Sequence, residues 1–150
     1  MITEPEYPFR YAERCLYEYQ GNVARLDALK ERLAALYATS TAGVQGWSAD
    51  GHGSGPGDPV AVRELRIISI EEEIARLAER TEPITRLKAD LEAPYVLEGS
   101  PKHDLARVMR LYYFGENDKA RVLDSLGMSR KTLYNKRQAL VRLTLFYMGE

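Results

Sequence analysis

With one cysteine, Cys15, the chain cannot form an internal disulfide. Cys15 sits among helix formers and reads as a small, half-buried apolar side chain. The two histidines, His52 and His103, lie far apart with no metal-ligand spacing around them, which argues against a metal site. No apolar run reaches about 18 residues, so no transmembrane helix and no membrane partner are expected. The opening Met1-Ile2-Thr3-Glu4-Pro5-Glu6-Tyr7 has no basic region followed by an apolar stretch, so no secretory signal is expected, and with the absence of a transmembrane run a cytoplasmic location is expected. Gly51, Gly53 and Gly55 follow no strand pattern and precede no Gly-Lys-Ser/Thr, so they are not a phosphate loop. No serine, acid or histidine set forms a nucleophile and base. The chain is read as a non-enzyme without cofactors.

What is present begins with charge asymmetry. The 150 residues carry a net charge of −1, which by itself points to no nucleic acid. Residues 101–150 hold ten Lys/Arg against five Asp/Glu, and residues 1–100 hold eleven against seventeen. A basic C-terminal third on an acidic remainder suggests a face for phosphates and another for a different task.

Apolar periodicity organises the acidic part. From Phe9 to Tyr37, Leu16, Tyr19, Val23, Leu26, Leu29, Leu33 and Leu36 recur at three- and four-residue spacing and predict a long helix, with a weak point at Gly21-Asn22. Residues 39–57 are glycine-rich and predict a flexible linker, with Trp47 pinning it. Asp58-Pro59 is a helix-start signal. Val60, Ile67, Ile70, Ile74 and Leu77 form the stripe of a second long helix, which Pro83 should bend rather than stop. The expected architecture is all-α: a long antiparallel, coiled-coil-like hairpin over 1–93, then a small helix-turn-helix domain over 94–150. Each stripe is too long for one partner to cover, so a homo-oligomer, most simply a dimer seamed through Ile70 and Ile74, is expected. The tyrosines Tyr7, Tyr11, Tyr17 and Tyr19 read as core and interface residues.

The C-terminal third carries the functional signal. Leu105, Val108, Met109, Leu111 and Tyr112 predict a support helix ending at Phe114-Gly115. A short helix follows and ends at Gly127, which can adopt the left-handed conformation that terminates a helix. Ser129 can cap the next helix, worth roughly 1 kcal/mol. Val122, Leu123, Leu126, Met128 and Leu133 would fill the angle between the two. From Ser129 to Arg142 there are five basic residues and no acidic one. Arginine and lysine suit guanine edges or phosphates, and asparagine and glutamine suit adenine. The candidate contacts with double-stranded DNA are Ser129, Arg130, Lys131, Thr132, Tyr134, Asn135, Lys136, Gln138 and Arg142. The C-terminal third is expected to bind duplex DNA by itself.

This order of parts resembles the phage late-transcription regulators of the ArpU/RinA type, whose C-terminal part resembles region 4 of bacterial sigma factors. The matching residues are Arg110-Leu111-Tyr112-Tyr113-Phe114-Gly115, Val122, Leu126-Gly127-Met128-Ser129-Arg130, Thr132-Leu133-Tyr134, Ala139-Leu140 and Leu143. Leu123 departs from the small alanine usual in that pattern, and Arg121 from an acid. The resemblance implies a phage or prophage transcription regulator in a bacterial host cell. It would contact DNA through the positions from Ser129 to Gln138, with RNA polymerase as a further partner. The alternatives are a small terminase subunit that recognises genome DNA for packaging, and a helical adaptor that binds only protein.

Overall fold

The computed structural model describes residues 6–50, 59–115 and 118–149. Among them the chain is helical and contains no strand. Helix α1 spans Glu6–Asp50, α2 Pro59–Leu91, α3 Pro101–Val108, α4 Lys119–Leu126 and α5 Arg130–Tyr147. A π-helical turn, Met109–Tyr113, extends α3.

The two long helices form the expected hairpin. Between residues 22 and 79, Leu26, Leu29, Ile70 and Leu77 are buried together, with Leu33, Leu36 and Ile74 packed against them. The Arg25 guanidinium donates to Glu73 at 2.7 Å and the Tyr37 hydroxyl to Glu71 at 3.2 Å, both on the surface. Ile70 therefore lies inside one hairpin and is not available to a seam between two copies. The large apolar side chains left exposed on α2 are Val62, Leu65 and Ile68 (with Val60 at the margin), three residues apart and Leu65 at 66 % exposure.

One expectation about a helix end changes. The predicted linker at 39–57 is partly helical, because α1 runs on to Asp50. Residues 39–50 contain only Gly43 and Gly46, and each interior glycine costs about 1 kcal/mol relative to alanine. The denser glycines from 51 to 57 lie outside the described residues, as does the Asp58 cap. Proline at the first helical position holds: α2 begins at Pro59 and continues through Pro83 to Leu91.

The chain divides into two compact units, residues 1–21 with 80–150 and residues 22–79. The sequence reading divided it at 93/94. The observed divisions follow Gly21 in α1 and Glu79 in α2. Glycine is the poorest non-proline helix former, and the Glu79 carbonyl is the one that Pro83, lacking an N–H, leaves without its helical donor. Contacts thus regroup beside a glycine in α1 and at the carbonyl that Pro83 leaves without a donor in α2.

The C-terminal helices α3, α4 and α5 belong to the first unit. Its buried residues include Ala12, Cys15, Leu16 and Tyr19 from α1, Ile84, Leu87 and Leu91 from α2, and Val108, Met109, Tyr113, Leu140 and Val141 from the C-terminal third. Arg86 donates to the Tyr147 carbonyl at 3.1 Å, and the Tyr147 hydroxyl binds Asp90, so α5 is also tied to α2. A fragment of residues 95–150 lacks the α1 and α2 share of this core. Far-UV circular dichroism should show it largely unfolded, contrary to the autonomous DNA-binding fragment the sequence suggested. Full-length Leu140→Ala should fold but lose about 2–5 kcal/mol in denaturant unfolding. A cooperatively melting, helical fragment would contradict this division.

Candidate nucleic-acid interface

Local chemistry sets the turn between α4 and α5. The Asp118 carboxylate accepts from the Ala120 amide at 3.0 Å and starts α4. Gly127 ends it at φ 65°, and its amide donates to the Leu123 carbonyl at 2.8 Å. Ser129 then caps α5, its Oγ accepting from the Thr132 amide at 3.1 Å, as the sequence predicted. Val122, Leu126 and Leu133 are buried in the angle between the helices. Leu123 is only half-buried.

The support helix reaches them through the π turn. The Phe114 amide donates to the Met109 carbonyl, five residues back, at 3.0 Å. This wider turn lets the consecutive tyrosines Tyr112 and Tyr113 both be buried. Gly115 follows because a Cβ there would stand 2.4 Å from the Leu111 carbonyl oxygen. Arg107 donates to the Ser125 carbonyl at 2.9 Å and links the support to α4.

The predicted contact residues separate on α5. Lys131, Tyr134, Asn135, Gln138 and Arg142 follow one another at helical spacing along the outward side; Gln138 is half-buried and the others are exposed, Tyr134 to 57 %. Arg130 is exposed at the helix start. Ser129 and Thr132 are exposed too, but both are engaged in the cap, their hydroxyls 3.0 Å apart. Lys136 turns aside: its ammonium lies 3.7 Å from Asp104 on α3, with the side chain 28 % exposed. Three of the five basic side chains on this stretch therefore remain outward, Arg130, Lys131 and Arg142.

The fifth is Arg137, which sequence reasoning placed in the acid-free stretch but not among the contacts. Its side chain is 16 % exposed and pairs with Glu13 of α1 at 3.1 Å. The same Nη2 donates to the Tyr17 hydroxyl at 3.2 Å, and Nε to the Tyr113 hydroxyl at 3.4 Å. Tyr113 donates to Glu13 at 2.7 Å, and the Tyr17 and Tyr112 hydroxyls share a hydrogen bond at 3.0 Å. The guanidinium carbon lies 4.2 Å from the Tyr112 ring centroid, a cation–π contact. A signal for this was present. Leu133, Leu140, Val141 and Thr144 are the buried stripe of α5, and position 137 falls in its middle. A cation on an apolar stripe requires an internal acid.

Burial, then the hydrogen bond to Glu13, raises the Tyr113 hydroxyl well above the ordinary tyrosine range. Burial and the bond with Tyr112 raise Tyr17 as well. A tyrosine whose pKa is raised on folding contributes stability that is fully present below pH of about 10 and is lost as pH climbs through the folded value. The melting temperature should therefore fall as pH rises above about 10. Tyr113→Phe, less stable at neutral pH, should show a shallower alkaline fall. Identical alkaline slopes for both proteins would contradict this assignment.

No family model, curated protein or solved structure matches the chain.

Proposed function

We propose that the chain is a sequence-specific, duplex-DNA-binding transcription regulator that reads DNA with α5. The observation that carries this reading is the outward row Lys131, Tyr134, Asn135, Gln138 and Arg142, on a capped helix whose first fourteen positions, from the Ser129 cap, contain no acid. A helix of this kind, held across a second helix by a glycine turn, fits the major groove. Lysine and arginine supply phosphate or guanine contacts, asparagine and glutamine adenine contacts, and tyrosine an apolar surface for a thymine methyl. The resemblance to ArpU/RinA-type regulators supports a phage or prophage origin, with polymerase as the partner of the bound protein. No catalytic role is proposed.

The test uses the full chain and a duplex enriched from a random pool by the unmodified protein. Affinity for that duplex should fall steeply with salt, as phosphate contacts require. Asn135→Ala or Gln138→Ala should cost about 1–3 kcal/mol on the enriched duplex and little on a scrambled one. Arg142→Ala should weaken both alike. Absence of duplex binding at low salt would overturn the reading.

Self-association through the hairpin belongs to the same proposal, and a specific observation favours it. Val62, Leu65 and Ile68 form an apolar row left about half exposed or more, Leu65 to 66 %. A symmetric pair would present two reading helices to two half-sites. Light scattering should give about twice the 17.0 kDa chain mass. Leu65→Asp with Ile68→Asp should restore the monomer with helical content intact, whereas Ile70→Asp should unfold the hairpin. A monomeric unmodified chain at micromolar concentration would contradict it.

A further inference from the structure

We infer that Arg137 is a positioning residue for DNA reading: through Glu13 and Tyr17 it fixes the rotation of α5, and so which side chains the helix presents outward. The inference rests on the DNA-reading function proposed above. Arg137 touches no outward residue of α5. It projects to the opposite flank and meets α1 there.

The geometry is over-determined. Glu13 and Tyr17 are four residues apart, hence on one face of α1, and both meet the same guanidinium nitrogen. Tyr113 meets Nε and Glu13 together, which closes a ring of hydrogen bonds among three side chains from three separate elements. The Tyr112 ring lies against the guanidinium carbon and restricts its tilt. A planar group held by an acid, two hydroxyls and a ring has one orientation, which neither lysine nor a purely apolar side chain would reproduce. Leu133, Leu140 and Val141 fill the core but tolerate small helix rotations, because apolar packing is not directional. Groups that read base edges must be held within about 0.5 Å and 10–20° of their productive placement. Other directional contacts on α5, Lys136 to Asp104 and Tyr147 to Asp90 and Arg86, are more exposed or lie at the far end of the helix; the one to α1 is part-buried and sits beside the outward row.

The experiment compares the full-length protein with Arg137→Lys, Glu13→Gln and Tyr17→Phe. Each is measured on the enriched duplex and on a scrambled duplex of the same length and composition, well below the melting temperature. Arg137→Lys and Glu13→Gln should keep their helical content and their affinity and salt slope on scrambled DNA. Their preference for the enriched duplex should fall by about tenfold or more, comparable to losing a base contact. Tyr17→Phe, which removes one hydrogen bond and keeps the ring, should lose a smaller part and remain folded even where the charged-pair variants do not. A structural role alone would lower the melting temperature of all three and leave the preference unchanged, which would overturn the inference. Loss of preference in none of the folded variants, with the unmodified protein still discriminating, sinks the positioning role and spares the DNA reading. No duplex binding by the unmodified protein sinks both.

Discussion

A guanidinium taken largely out of water has to find an anion, and Arg137 finds Glu13 at the other end of the chain, 124 residues earlier. Much of the organisation of the first unit follows from that pairing. The pair is part-buried, so losing either partner leaves a charge that water screens only in part, and neither residue is free to drift. The tyrosines satisfy the remaining donors and acceptors: Tyr113 bridges the pair, Tyr17 takes the second bond from Nη2, and Tyr112 supplies the ring face. The π turn is what allows two neighbouring tyrosines to enter this cluster from a single helix. The start of α1 is thus built into the same unit as the C-terminal helices, residues 1–21 joining residues 80–150.

The same pairing sorts α5 into two sides. Lys136 and Arg137 are turned to Asp104 and Glu13, and their charges are spent inside the fold. Lys131 and Arg142 bracket Tyr134, Asn135 and Gln138 on the outward side. A count of basic residues overstates the free charge of this helix, but the residues that remain outward combine phosphate-binding and base-reading types. The charge left to bind is smaller than the sequence suggests, and the surface that bears it is better defined. In the DNA-binding function proposed above, such a surface would favour discrimination over raw affinity, since phosphate contacts position and base contacts specify.

Sequence reading captured what local rules determine. The helical hairpin followed from period-3.6 stripes, the start of α2 from Pro59, the reader's turn from Gly127, and the α5 cap from Ser129. It missed what only the tertiary pairing decides. Glycine content alone made 39–50 look like linker, although two glycines in twelve residues do not stop a helix. Ile70 was assigned to a seam between copies because periodicity identifies an apolar face without saying which neighbour covers it. The sequence makes Lys136 a DNA contact and counts Arg137 only as one more basic residue of the acid-free stretch, because their acidic partners lie 32 and 124 residues away. The proline-bearing connection predicts a boundary at 93/94, whereas contacts divide within α1 and α2, after Gly21 and Glu79.

The central claim is that α5, held from behind by α1, presents its outward row to duplex DNA. Nitrogen-labelled protein titrated with the enriched duplex tests it directly, with amide and arginine side-chain signals followed together. Large shifts should gather on residues 129–142 with a smaller set on α4, while the Arg137 Nε signal stays where it is in the free protein. Shifts concentrated on residues 22–79 with α5 unperturbed would place any DNA contact on the hairpin and contradict the account.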